Sequence, residues 1–298
     1  MTLEQLRIFV AVAELEHVTM AAKSLNVTQS ATSAAIAALE TRHDVKLFHR
    51  TGRRIELSEA GRQFLHEARA VLAQAMTAEQ VLTDLGAMKR GTLRLIASQT
   101  IAAYWLPERL AHFHARYPNV ELSVAIANTD GAAQAVLEGQ AELGFVEGAI
   151  DDAALAHWPV AQDELLVVGR EPIGQGDTPQ ALQGLVWIMR EQGSGTRSTF
   201  EAALRTRGLD PASLNVVLTL PSNESVLAAV RTGIGHAALS RLVVAPFVEG
   251  GQLAAHPLGL TARPFYALRH KERYASKAAD AFLACLKMFD PEQPASGD

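Results

Sequence analysis

The sequence predicts an α+β multidomain fold: a small helical unit closed by a hairpin, one long helix, and two α/β lobes in series. Three observations carry this expectation. Apolar residues recur at helical spacing near the start. A heptad-like seam without proline runs on from Ser58. From Lys89 onward, strand-like and helix-like segments alternate in two successive sets.

The chain has 298 residues, 48% of them hydrophobic, and a formal net charge of −5, which is globular composition at a length suited to two or three domains. No run of ~18 apolar residues is available to span a bilayer. The opening MTLEQLRIFVAVAELE carries acids and lacks a basic n-region, so no signal peptide is expected. Cys285 is the only cysteine, which leaves no intramolecular disulfide and no thiolate metal cluster. A cytoplasmic protein with no membrane partner is expected. Mild acidity argues against coating of nucleic acid by the whole chain, yet leaves room for a local basic patch.

The first unit is expected over residues 1–57. Leu3, Leu6, Phe9, Val10 and Ala13 recur at helical spacing. Thr19 can cap a second helix, roughly 20–25, Asn26 and Val27 form a turn, and Thr28 can cap a third helix, roughly 29–43. VKLFHRTGRRIELS reads as a two-stranded hairpin with Thr51 and Gly52 at its tip. A long helix follows over 58–90. Its seam, Phe64, Ala68, Val71, Ala75, Ala78, Leu82 and Leu85, steps by four and three, as in helices that pack along each other. Two readings are open: pairing of two chains through these helices, or one long helix packed on its own domain.

Residues 91–298 alternate. Strands are expected at 92–98, 120–127, 142–148, 165–170, 186–190, 215–220 and 236–240, with helices between them and largely parallel pairing. A late strand, PFYALRH, and the helix SKAADAFLACLKMF follow.

The third helix is poor in large side chains and rich in Gln, Ser and Thr. Two short helices joined by a tight turn describe a helix-turn-helix, whose second helix enters the DNA major groove. Thr28, Gln29, Ser30, Thr32 and Ser33 lie at the end that meets base edges. Gln can pair with adenine, and Ser or Thr with several bases. The hairpin region supplies charge: Arg42, Lys46, Arg50, Arg53 and Arg54 stand against Asp44. Arg50, Arg53 and Arg54 are therefore candidates for phosphate contact. The competing reading is a small bundle whose hydroxyls and arginines are merely solvated.

At this point the resemblance is specific. Leu6, Phe9, Ala21, Ala22, Leu25, Gln29, Ser30, Ser33, Ile36, Leu39, Glu40, Leu47, Phe48, Arg50, Leu57, Ser58, Ala60 and Gly61 match the winged helix-turn-helix of the LysR-type transcriptional regulators. The resemblance covers essentially the whole chain. It departs at His17-Val18, where the family often has Gly-Ser, and at Asp44-Val45, where it often has Leu-Gly. It implies a winged helix-turn-helix, a linker helix, and a two-lobed effector-binding domain of periplasmic-binding-protein type, with lobe I at 91–165 and 265–298 and lobe II at 166–264. It also implies double-stranded operator DNA as partner, a homodimer and a homotetramer.

A small molecule is then expected between the lobes. Ligands of open α/β sheets sit beyond the carboxyl ends of strands, near helix N-termini. Ser98, Gln99 and Thr100 occupy one such junction, and Gly193, Ser194, Gly195 and Thr196 another. Their N–H groups and hydroxyls favour an anion. Arg190 and Arg197 either add charge or face solvent. Asn128 and Thr129 end a further strand. Asn223, with Ser222, either joins the site or only caps a helix. The phrase RE-x-GSGTR resembles the branch of the family that includes regulators of carbon fixation and of sulfur-oxyanion metabolism, which implies a small anionic effector. Glu147 lies beside these residues, pointing away or limiting the charge an anion can carry.

Enzyme templates fail. Gly193-Ser194-Gly195 is not G-x-S-x-G and does not continue as G-x-G-x-x-G, and there is neither a Walker A loop nor H-E-x-x-H. His112 and His114, two apart on a helix, point to different faces. No catalytic, metal or cofactor site is assigned. A solute-binding protein would account for residues 91–298 but not for the first ninety.

Overall fold

The computed structural model describes residues 1–51, 54–85, 91–148, 150–173, 178–257 and 263–289. They form two compact units, Met1–Leu82 with Glu138–Gln140, and Thr83–Leu137 with Ala141 onward.

The first unit opens with α1 (Leu3–Leu15), started by a reciprocal capping box between Thr2 and Gln5. Helix α2 (Val18–Ser24) begins earlier than the sequence suggests. Its cap is His17, not Thr19: Nδ1 of His17 accepts from the Met20 N–H at 3.3 Å. An imidazole Nδ1 sits where an Asn or Asp oxygen would, so an unprotonated histidine can serve the same orphan donor. Asn26 takes the turn with φ +55°. Helix α3 (Gln29–His43) is capped by Thr28, as expected.

Strands β1 (Phe48–Thr51) and β2 (Arg54–Leu57) form the antiparallel hairpin. Helix α4 (Glu59–Leu85) is fastened by Ser58, whose Oγ accepts from the Gly61 N–H at 2.8 Å and donates to the Lys46 carbonyl at 2.6 Å. Phe9 centres the core, its ring 5.4 Å from Phe48 and 4.8 Å from Phe64. The α4 seam divides. Phe64 and Ala68 pack on this core, whereas Val71, Ala78 and Leu82 are exposed, Leu82 by 71%. The first stretch of the long helix therefore packs on its own domain, and the second presents an exposed apolar face. Gly86 to Arg90 lie outside the described residues.

The second unit runs β3 (Gly91–Ser98), a π-helical turn at Ile101–Trp105, α5 (Leu106–Arg116), β4 (Val120–Ala127), α6 (Thr129–Leu137), β5 (Leu143–Glu147) and β6 (Leu155–Asp163). It continues through β7 (Leu165–Gly169), α7 (Pro179–Gln183), β8 (Val186–Arg190), α8 (Gly195–Thr206), β9 (Asn215–Leu220), α9 (Asn223–Arg231), β10 (Ala237–Ser240), α10 (Arg241–Glu249) and β11 (Ala254–Pro257). It closes with β12 (Arg263–His270) and α11 (Lys277–Phe289). One lobe holds the sheet β4-β3-β5-β12-β6. The other holds β10-β7-β11 and β8-β9, bridged through Trp187 and His236.

Pairing is mixed rather than largely parallel. β3 runs parallel to β4 and β5, and β8 to β9, but β12 is antiparallel to β5 and β6, and β7 to β10 and β11. Parallel neighbours need a helical crossover. Here β6 passes straight into β7 of the other lobe with no helix between them. β6 and β11 escaped the sequence reading, as did the short α7 and α10, which carries Pro246 inside it. Phe113, Phe145 and Phe282 stack edge-on in the first lobe, fixing α11 against α5 and β5. The second lobe buries Trp187 on Phe200 at 4.8 Å.

Candidate functional site: a helix face in one unit and a polar cleft in the other

The exposed face of α3 is set by its core face. Thr32, Ile36 and Leu39 follow i, i+4, i+7 and are buried. Thr32 therefore does not belong with the base-reading candidates: it is fully buried and its hydroxyl donates to the Thr28 carbonyl at 3.1 Å. Gln29 and Ser30 are exposed and Ser33 is half-buried. Thr28 is exposed but committed, accepting from the Ala31 N–H at 3.2 Å and lying 3.0 Å from the Ser30 hydroxyl. Ala34, Ala37 and Ala38 are exposed, so no bulky side chain stands off a surface laid against them.

Arg53 lies outside the described residues, and Arg50 and Arg54 are described only as strand backbone. Lys46 is paired with Glu40 at 2.8 Å, which reduces the positive excess counted from the sequence. Glu40 also accepts from the Leu47 N–H at 2.8 Å and the Phe48 N–H at 3.3 Å, anchoring the hairpin to α3. Burial pushes this carboxyl up, but the hydrogen bonds from Lys46, Leu47 and Phe48 outweigh it and hold it below its ordinary value.

In the second unit, most of the predicted effector residues meet between the lobes. Asn223 is the centre of one cluster. Its N–H donates to Gln99 Oε1 at 2.6 Å, its Nδ2 donates to Thr100 Oγ1 at 3.0 Å, and its Oδ1 accepts from Arg190 at 2.5 Å. Ser222, not Asn223, caps α9. Thr100 makes no capping bond, which leaves its hydroxyl to Asn223. The π-helical turn directly after it is a feature often found at functional sites.

A second cluster surrounds Glu147. This carboxylate is buried. It accepts from the Ser98 hydroxyl and, at 3.4 Å, from the Thr196 hydroxyl. Its backbone carbonyl accepts from Thr129 at 2.8 Å. Gly195 lies so close that a Cβ there would collide with that carbonyl and with the Thr129 hydroxyl. A third contact runs along the rim. Asn128 Nδ2 donates to Glu191 at 3.4 Å and to the Gln192 carbonyl at 3.3 Å, and the Asp130 N–H donates to the Gly193 carbonyl at 3.2 Å. Gly193 adopts φ +81°, and a Cβ on it would press on Asp130. Ser194 is buried at the start of α8 without a side-chain capping bond.

Of the two arginines considered from sequence, Arg190 is buried and paired with Glu191 at 2.8 Å. Arg197 serves Glu201 at 2.7 Å and the Arg190 carbonyl at 3.1 Å. Sequence reasoning missed Arg263, Asp163 and Ser240. Arg263 and Asp163 form a buried ion pair, Arg263 donates to Thr196 at 3.1 Å, and Ser240 donates to Asp163 at 2.9 Å. Each is a lone residue at a strand end, with no local pattern to mark it. The cleft thus holds hydroxyls, amides and guanidinium groups that can bind an anion, with carboxylates already among them.

Residues 3–62 match the model of bacterial regulatory helix-turn-helix proteins of the lysR family, and residues 86–289 that of the LysR substrate binding domain. The chain is 33% identical over 287 residues to the uncharacterized HTH-type transcriptional regulator YeiE of Escherichia coli (strain K12), covering 95% of this chain and 96% of that protein. In fold it resembles CbnR, a LysR family transcriptional regulator, with TM-score 0.70 and 22% identity over 97% of this chain and 99% of CbnR. It also resembles the regulatory domain of Synechocystis PCC6803 CcmR in complex with 2-PG, with TM-score 0.61 and 26% identity over 69% of this chain and all of that one (100%).

Proposed function

The chain belongs to the LysR family of DNA-binding transcriptional regulators, and on that premise we propose which residues read DNA and what the cleft senses. Gln29, Ser30 and Ser33 meet base edges from α3, Thr28 fixes the helix end, and Arg50, Arg53 and Arg54 hold phosphates. The exposed alanines behind Gln29 support close approach to the groove floor. The organisation is a DNA-binding domain at 1–57, a linker helix at 58–90 and an effector domain at 91–298, whose lobe bounds differ slightly from the sequence expectation: lobe II begins with β7 at Leu165 rather than 166, and the chain returns to lobe I with β12 at Arg263 rather than 265.

The effector is a small anionic metabolite bound between the lobes by Ser98, Gln99, Thr100, Asn128, Thr129, Gly193, Ser194, Gly195, Thr196 and Asn223. One observation carries this reading: the buried hydroxyls and amides of both lobes converge, with Asn223 touching Gln99, Thr100 and Arg190 at once. The buried Glu147 favours a ligand of low charge or one that brings its own proton, because a second full negative charge beside it is costly. The CcmR regulatory domain, solved with 2-PG, supports a small ligand in a domain of this fold.

Two chains pair through α4, whose exposed Val71, Ala78 and Leu82 need cover. Two dimers form a tetramer, and the edge strands β4 and β9, with exposed Val124, Ile126, Val216 and Val217, offer a separate surface for it. The effector favours one lobe arrangement by binding it better, and so shifts dimer–dimer geometry and DNA bending. This reading has the protein act in the cytoplasm and catalyse no reaction. No helix among the described residues is long and apolar enough to cross a membrane.

A mobility-shift titration against duplexes selected from a random pool, with and without sulfate, phosphate, sulfite and short carboxylates, tests both halves. Failure to select any sequence would overturn the assigned reading face. Identical binding and footprints with every anion, together with unmoved melting temperatures, would overturn the anionic effector.

A further inference from the structure

The polar network does not stop at the cleft. The chain passes from the first lobe to the second after Asp163, the last residue of β6, and re-enters the first lobe at Arg263, the first residue of β12. Side chains at these two crossings form a buried ion pair, 7% and 3% exposed. Ser240, at the end of β10 in the second lobe, orients the pair by donating to Asp163 Oδ1 at 2.9 Å. The other arm of the guanidinium reaches the cleft. Nη1 of Arg263 donates to Thr196 Oγ1 at 3.1 Å, in the first turn of α8, and lies 3.6 Å from Glu147 Oε1, at the end of β5. Nε of Arg263 is buried and finds no partner among the described residues.

One guanidinium thus touches a residue of each lobe inside the cleft while pairing the two crossing strands behind it. Two carboxylates share it, so its partners compete. A ligand that takes the Ser98 and Thr196 hydroxyls changes what Glu147 demands of Arg263, and through it the pairing of the crossings. Buried charges of this kind tolerate little rearrangement, because an unpaired member is strongly disfavoured.

The geometry points to Arg263 as the positioning residue that sets the angle between the lobes and transmits cleft occupancy to their crossing strands, with Asp163 as its anchor. The transmitting role rests on the cleft reading above; the setting of lobe angle does not. Lysine cannot substitute, since all its donors sit on one nitrogen, whereas Asp163 and Thr196 are held by two different nitrogens of a rigid planar fork.

The test is an interlobe distance measured by paired spin labels on the full chain, at Ala111→Cys in α5 and Ala228→Cys in α9, diluted with unlabelled protein. Both positions are exposed, and the native Cys285 is buried. Without any ligand, Arg263→Gln, Arg263→Lys and Asp163→Asn each shift or broaden the distance distribution, and the Arg263→Gln/Asp163→Asn double variant shifts it no further than Arg263→Gln alone. Ser240→Ala shifts it less. If Arg263→Gln does not fold, Asp163→Asn and Ser240→Ala decide. Folded variants with the wild-type distribution would overturn the proposal.

Melting titrations with sulfate and inorganic phosphate run alongside. Anions that raise the wild-type melting temperature, with distances unmoved by the variants, sink the hinge role and leave the cleft reading standing. Anions without effect, with distances shifted by the variants, do the reverse.

Discussion

The side-chain amide of Asn223 donates to the Thr100 hydroxyl at 3.0 Å across 123 positions of sequence, joining the start of α9 in one lobe to the start of the π-helical turn in the other. Asn223→Ala removes this bond and leaves Arg190 with a lost acceptor. A buried polar group left unsatisfied costs ~1–3 kcal/mol. The effector domain should melt at lower temperature, and whatever anion stabilises the wild type should stabilise the variant less. An unchanged anion titration in Asn223→Ala would remove this residue from the site.

Gly195 separates packing from chemistry in the same cleft. A methyl group there meets the Glu147 carbonyl and the Thr129 hydroxyl, both in the first lobe. Gly195→Ala should therefore wedge the lobes apart without removing a polar group, lengthening the interlobe distance and weakening anion binding. A variant with native closure would mean that the backbone shifts to accept the methyl.

In the DNA-binding unit, Gln29→Ala should weaken binding to the selected duplex by ~1–3 kcal/mol if the side chain makes a bidentate base contact. Thr32→Val should leave base preference unchanged and lower stability by ~0.5–1.5 kcal/mol, the worth of one intramolecular hydrogen bond. Arg53→Ala should weaken all sequences alike and flatten the salt dependence by about 0.9 in the log–log slope. A changed base preference in Arg53→Ala, seen by binding to duplex variants, would contradict a phosphate role.

Leu82 tests the helix pairing. It is 71% exposed in the single chain, so Leu82→Glu should change folding of the monomer little, while placing a charge in the proposed seam. Sedimentation should show smaller assemblies at concentrations where the wild type is paired. Assembly unaffected by Leu82→Glu would place the interface elsewhere.

Acid should act on the two units in separate windows. His236, packed against Gly169, has its pKa lowered from 6.5, by burial first and by neighbouring His256. Glu171 opposes the shift. The folded state then binds fewer protons than the unfolded chain, so stability is full above pH 6.5 and falls as pH drops below it. His236→Gln should flatten that slope in the effector domain. Glu40 is lowered from 4.5, so its contribution is full above pH 4.5 and is lost as pH falls further. Glu40→Gln should remove this second loss, read from melting of the DNA-binding unit between pH 5 and pH 3 (about the carboxylate range).

The local architecture of α3 was written in sequence: Thr28 as cap, Gln29 and Ser30 outside, Ile36 and Leu39 inside. The misplacement of Thr32 came from reading hydroxyls as outward when the helical period, shared with Ile36 and Leu39, already turned this one inward. The cap of α2 was missed because histidine was not weighed as an acceptor. In the effector domain, Ser98, Thr100 and Thr196 were legible because they lie at strand-to-helix junctions, where donors are left over by the backbone itself.

Sequence alone determined what short-range chemistry controls: caps, helical and strand periods, the turn at Asn26, and the family resemblance carried by local motifs. Tertiary structure decided what depends on crossing strands: the mixed sheet pairing, the division of the α4 seam into covered and exposed stretches, and the Asp163–Arg263 pair, whose members stand 100 positions apart. The reason is physical. A periodic pattern repeats its signal every turn, whereas a buried ion pair between lone residues is specified only by the fold that makes leaving either one unpaired too costly.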